Sequence, residues 1–269
     1  MKLNELYDLI YFNGSSYTEN AMKDYNHRYF QNEDYIKFDE NYFTGQLVTY
    51  PIIIKKLTGI NIINEAKQGA GLPRLIRKTW EFIDKNDLEK LRKILFILEL
   101  PTSINRLDIY SNTYKDWMVV NVEYDNEFKA YETNNTFNWI YGPQLNNDYN
   151  IKVKNIIIDY VNEFMDIDVY DRVTSFNLLG LLSFFKLNGI NFFISGQLNY
   201  LNNYIKSFDD NFLKLIVNDE IFYDLYFFSE INKLRLCDKI NIKDNHPSFE
   251  AHKIWGNLIV NFLNEKLCF

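Results

Sequence analysis

Three histidines, at positions 27, 246 and 252, are the whole imidazole supply of this 269-residue chain. Two of them share one short stretch, Asp244-Asn245-His246-Pro247-Ser248-Phe249-Glu250-Ala251-His252. Residues two apart in an extended segment share a face, so Asp244 and His246 can point the same way. A carboxylate in that place holds the imidazole tautomer for general-base work. His246, Glu250 and His252 are also metal-ligand types. Their spacing is not His-Glu-x-x-His and no cysteine joins them, which argues against a metal site. The other chemistry-bearing segment is Asn13-Gly14-Ser15-Ser16-Tyr17-Thr18. A serine that follows a strand and opens a helix presents its Oγ where free N–H groups can stabilise an oxyanion. Ser16 or Ser15 could therefore be a nucleophile; the plainer reading of either is a helix cap. The segment lacks the second glycine of a Gly-x-Ser-x-Gly elbow, which counts against an ordinary α/β-hydrolase.

The elements that must position these groups follow from apolar periodicity. A strand is expected from about Leu6 to Phe12, and residues 23–44 read as a polar, aromatic surface excursion. A helix is expected over 45–57, with Pro51 either kinking it or marking its true start. A short strand over 59–64 leads into the loop Glu65 to Pro73, then a helix over 74–85 with Leu75, Ile76, Trp80 and Ile83 on its apolar face. Ile94-Leu95-Phe96-Ile97-Leu98 reads as a central strand buried on both faces, opening into the loop Leu100 to Arg106. Residues 107–150 look like an insertion holding one strand, Trp117 to Val122. A helix is expected over 151–187, with Ile156, Ile157, Tyr160, Val161, Phe164 and Met165 in register. Asn188-Gly189 stops it before a strand over 190–194, and a last helix runs over 248–265. Strands alternating with long helices predict an α/β fold. The expected form is one three-layer α/β/α domain over 1–269, with a mostly parallel sheet of about five strands. In such a sheet ligands sit outside the carboxyl ends of the strands. The loops after residues 13, 64 and 99 and the segment before the last helix are the four that a single site would need.

Composition narrows the function classes. Apolar residues at 47% and charged residues at 24% describe a folded chain rather than a disordered one. A net charge of −7 without a basic tract disfavours nucleic-acid binding, which needs clustered Lys and Arg. Cys237 and Cys268 form neither a disulfide framework nor a zinc site, so both read as free thiols. The N-terminus has no apolar signal core, and no run reaches membrane-spanning length. The expected location is cytoplasmic or virion-associated, without membrane partners. The aromatic surplus, 22 Phe and 20 Tyr, reads mainly as core; Tyr25, Tyr29, Phe30 and Tyr35 could instead form a sugar-stacking rim.

In order, Gly14-Ser15-Ser16-Tyr17-Thr18, Asn64-Glu65-Ala66-Lys67-Gln68-Gly69-Ala70-Gly71 and Asp244-Asn245-His246-Pro247 resemble the blocks of the SGNH (GDSL-like) hydrolases. The resemblance is to the phage and bacterial branch whose first block reads Gly-Cys-Ser-Phe-Thr. Arg74-Leu75-Ile76-Arg77 fits that branch's second-block helix, and Ala251-His252 stands where Gly-His is usual. The resemblance implies a flavodoxin-like fold and a serine esterase. It makes Ser16 the nucleophile, His246 the general base, Asp244 the orienting acid, and the Gly69 and Ser16 amides the oxyanion donors. It implies no metal or organic cofactor, and a small-molecule or carbohydrate ester, such as an O-acyl sugar, as substrate. Two departures stand out. Pro101-Thr102-Ser103-Ile104-Asn105-Arg106 replaces the Gly-x-Asn-Asp block, leaving Asn105 or Thr102 as a third oxyanion donor. The usual Asp-x-x-His is shortened to Asp-x-His. Both departures keep open an alternative, a catalytically inactive SGNH-fold binding or virion-structural protein.

Overall fold

The structure, a computed structural model, describes residues 2–14, 49–67, 70–100, 106–112, 115–121, 139–141, 155–156, 159–160, 163–164, 166–196, 222–224 and 249–267. The chain opens with one helical turn, α1 (Leu3–Leu6), where the Lys2 N–H donates to the Glu5 carboxylate at 3.0 Å. That turn withdraws Leu6 from the expected first strand, which runs as β1 (Leu9–Asn13). Next comes α2 (Tyr50–Thr58), with Pro51 in its first turn. The proline marks the helix start, where its missing N–H costs nothing. Gly59 ends the helix at φ 74°, a left-handed cap that glycine adopts without strain.

β2 (Asn61–Asn64), α3 (Leu72–Ile83), α4 (Leu88–Leu91) and β3 (Ile94–Glu99) follow. Every residue of β3 is buried, as its unbroken apolar run predicts. On α3, Leu75, Ile76 and Ile83 are buried, but Trp80 faces outward and packs on Phe184 at 5.1 Å between ring centres. β4 (Arg106–Ser111), β5 (Asp116–Asn121) and β6 (Trp139–Tyr141) form a separate antiparallel sheet in that order. β5 carries the longest apolar run of the three, whereas β6 is only three residues long. The polar residues of β4 are partners for α3, so the single expected strand becomes three.

α5 (Ile167–Leu187) is the second part of the stretch expected to be helical over 151–187; residues 155–156, 159–160 and 163–164 are helical as well. The Asp166 carboxylate accepts from the Val169 N–H at 3.1 Å, a cap that starts a new helix there. Upstream, Ile156, Tyr160 and Phe164 are exposed rather than turned to the core. Gly189, at φ 64°, turns the chain into β7 (Phe192–Gly196). β8 (Phe222–Asp224), which the sequence did not foretell, and α6 (Phe249–Leu267) complete the described elements.

The main sheet has the order β2-β1-β3-β7-β8, with every pair parallel. Successive side chains alternate between its faces. Ile10, Phe12, Ile97 and Phe193 pack with Tyr50, Ile54 and Trp255 of α2 and α6. Tyr11, Phe96, Leu98 and Ile194 pack with Leu75, Leu182 and Phe185 of α3 and α5. The result is the expected three-layer α/β/α architecture with a parallel sheet of five strands. Its direction reverses next to β1. The chain leaves β1 for β2 through α2 on one face, then returns to β3 and β7 through α3 and α5 on the other. A reversal of this kind opens a crevice at the carboxyl ends of β1 and β3.

Among the described residues no helix is long and apolar enough to cross a membrane. The 23–44 excursion with its aromatic residues, His27, Cys237 and Cys268 lie outside the described residues.

Candidate active site

The carboxyl ends of β1, β2 and β3 and the first turns of α2, α3 and α6 converge on that crevice. β1 ends in Asn13, fully buried, whose side chain works in two directions. Its Oδ1 accepts from the Gly14 N–H at 2.9 Å. Its Nδ2 donates to the Leu75 carbonyl at 2.9 Å, the Thr79 Oγ1 at 3.0 Å and the Tyr11 hydroxyl at 3.3 Å. Burial pushes the Tyr11 phenol well above its ordinary pKa, so it stays neutral beneath the crevice.

The loop after β2 is bound to the loop after β1. The Glu65 N–H donates to the Phe12 carbonyl at 2.9 Å, and the Lys67 N–H donates to the Gly14 carbonyl at 3.2 Å. Two guanidinium groups hold this second loop from either end: Arg74 Nη1 donates to the Glu65 carbonyl at 2.9 Å, and Arg106 Nη1 to the Ala70 carbonyl at 3.1 Å. Burial lowers the pKa of Arg74, with the Arg77 charge adding to it. The start of β4 presses on the start of α3. A Cβ on Gly71 would lie 2.7 Å from both Cβ and the carbonyl oxygen of Arg106, so only glycine fits there. The third loop is thereby anchored to the second at its far end.

On the opposite face, Tyr50 joins the first turns of α2 and α6 to β1. Its ring meets Trp255 at 4.0 Å and Phe12 at 5.9 Å between centres. His252, buried one turn into α6, accepts at Nδ1 from the Tyr50 N–H at 3.4 Å and stacks on the Trp255 ring. It therefore caps α2. At the ends of β3 and β7, Glu99 and Ser195 are paired in register, fully buried and on this same face. Neither was singled out from the sequence. The available signal was a lone carboxylate closing an otherwise apolar strand.

Ser16, Gly69, Asn105, Asp244 and His246 lie outside the described residues, as do Ser15 and Thr102. Among the described residues no group of three or more His, Cys, Asp or Glu side chains could hold a metal ion.

No protein-family model matches this sequence, and a comparison with curated proteins finds no match. Solved structures similar to the chain include esterases and a GDSL-like lipase. The psychrotrophic esterase EstA from Pseudoalteromonas sp. is 10% identical, with 97% of each chain covered and a TM-score of 0.42. An acetyl xylan esterase from Butyrivibrio proteoclasticus is 12% identical, covering 97% of this chain and 64% of that one, with a TM-score of 0.48. A putative GDSL-like lipase from Parabacteroides merdae is 15% identical, covering 99% of this chain and 98% of that one, with a TM-score of 0.41.

Proposed function

We propose that this chain is a serine esterase of the SGNH type. The observation that carries the reading is the hydrogen bond from the Lys67 N–H to the Gly14 carbonyl at the reversal point of the sheet. Ser16 follows Gly14 by two residues, and Gly69 follows Lys67 by two. Two residues span at most about 7 Å, so the bond ties together the segments carrying the proposed nucleophile and oxyanion donor. The segment with Asp244 and His246 leads directly into α6, whose first turns pack through Tyr50 against β1.

In this reading Ser16 Oγ attacks the ester carbonyl while His246 takes its proton. The amides of Ser16 and Gly69 hold the oxyanion, with Asn105 or Thr102 as a third donor. Asp244 keeps the imidazole in the attacking tautomer. Collapse of the tetrahedral intermediate breaks the bond to the alcohol, which leaves with the proton from His246. Water then attacks the acyl-serine and gives a proton to His246, which returns it to Ser16 Oγ as the acid leaves. An O-acyl group on a carbohydrate is the proposed substrate.

A fluorophosphonate probe tests this directly. The wild-type chain should be labelled at Ser16 and should hydrolyse p-nitrophenyl acetate, and Ser16→Ala should lose both. Labelling that is equal in the two proteins would defeat the esterase reading. It would favour the inactive binding or virion-structural protein to which the missing Gly-x-Asn-Asp block points.

A further inference from the structure

We infer that Asn13 is a positioning residue for the Ser16 nucleophile. The inference rests on the esterase reading above. Strand β1 stops pairing at Asn13, opposite Leu98 of β3. Beyond that point the Gly14 N–H takes the Asn13 Oδ1 as its acceptor, at 2.9 Å. The Gly14 carbonyl is taken by the Lys67 N–H at 3.2 Å. Both peptide groups flanking Gly14 are therefore pinned two residues before Ser16. The first pin leads through the Asn13 amide into α3, to the Leu75 carbonyl at 2.9 Å and the Thr79 hydroxyl at 3.0 Å. Thr79 is itself fixed, since its Oγ1 donates to the Leu75 carbonyl at 2.8 Å. The direction in which the chain enters the Ser16 loop is thus set by α3, the helix that follows the Gly69 loop. The residues that lead into the proposed nucleophile and the helix that follows the proposed oxyanion donor are thus joined through Asn13.

Asn13 does not touch substrate. It is fully buried, and its acceptor and both donor hydrogens are spent on protein groups. Aspartate in its place would keep the acceptor for Gly14 and lose the donors to α3. Alanine would lose both and leave the Gly14 N–H without its partner. Small displacements of a nucleophile cost rate rather than binding.

The test compares Asn13→Ala, Thr79→Val, Thr79→Ser and Leu182→Ala with the wild type. Leu182 is buried in the same core layer but carries no polar contact to the loop. Fluorophosphonate labelling rate at Ser16, kcat and KM for p-nitrophenyl acetate, and Tm are read for each. Asn13→Ala should lower the labelling rate and kcat about tenfold or more, with KM within about twofold. Thr79→Val should lower them by a smaller factor, and Thr79→Ser should restore them. Leu182→Ala should lower Tm at least as much while labelling at nearly the wild-type rate. Labelling of folded Asn13→Ala at the wild-type rate would overturn the inference alone. So would an equal loss in Leu182→Ala. If Asn13→Ala does not fold, the two Thr79 variants decide, and equal rates in them overturn it. A wild-type chain that is not labelled at Ser16 overturns the inference together with the esterase reading.

Discussion

Tyr11 shows how a single residue beneath the crevice is shaped by its surroundings. Its ring is fully buried among Phe82 and Phe96, and its hydroxyl accepts from Asn13. Burial disfavours the phenolate, so the folded pKa lies above the ordinary value of 10.0. A raised folded pKa gives stability that is fully present below the unfolded value and is lost as pH rises above it. Tyr11→Phe should therefore flatten the alkaline limb of the stability curve above pH 10.0. At neutral pH it should cost about 1 kcal/mol through the lost hydrogen bond. Urea denaturation at neutral and alkaline pH measures both. The sequence displayed Tyr11 only as an apolar strand residue. Asn13 likewise looked like half of an Asn-Gly stop, because neither the Thr79 hydroxyl nor the Leu75 carbonyl can be paired with it from spacing alone.

At the scale of elements, local chemistry was legible wherever it acts within one turn or one strand. Pro51 in the first turn of α2, Asn188-Gly189 after α5 and the apolar run of β3 each did what their residue types dictate. Contact between elements was not legible. Gly71 looks like part of a flexible Gly-Ala-Gly run, yet it is the point where α3 and β4 nearly touch. Gly71→Ala should destabilise the fold by about 1–3 kcal/mol, because the added methyl meets the Arg106 backbone rather than a yielding side chain. The readout is the thermal unfolding midpoint. The stretch expected as one helix over 151–187 is helical on both sides of Asp166 among the described residues, and its division there was not legible for a related reason. Apolar periodicity continues through Asp166, and only the hydrogen bond from the Val169 N–H shows that its carboxylate caps a new helix.

At the scale of the whole molecule, the small antiparallel sheet is fastened to the main body through Arg77. Its guanidinium donates from Nε to Asp108 Oδ2 at 2.6 Å and from Nη2 to Oδ1 at 3.2 Å, and lies 4.1 Å from the Trp117 ring centre. Burial by itself would lower the Arg77 pKa; the bonds to Asp108 and Glu81 outweigh it and raise it. The Asp108 side chain is 3% exposed and that of Arg77 16%, so this pair is largely withdrawn from solvent. Removing Asp108 leaves Arg77 with Glu81 alone, a more exposed partner on its own helix, and breaks the link to β4. Asp108→Ala should accelerate amide hydrogen exchange across β4 and β5 while β1 and β3 keep wild-type protection. Equal acceleration in all four strands would mean that the pair holds up the whole domain rather than the small sheet.

The amino-acid order alone settled the alternation of strands and helices, the all-buried third strand and hence the layered α/β class. These depend on periodicity and on backbone preferences, which act over a few residues. The resemblance to the SGNH blocks also came from short local runs. Tertiary structure alone decided which strand ends meet, that Gly14 bonds to Lys67, that Asn13 reaches α3, and that Arg77 carries a second sheet. Those contacts join residues from about thirty to nearly one hundred positions apart. Their geometry is set by chain reversal and close packing, which no local pattern encodes.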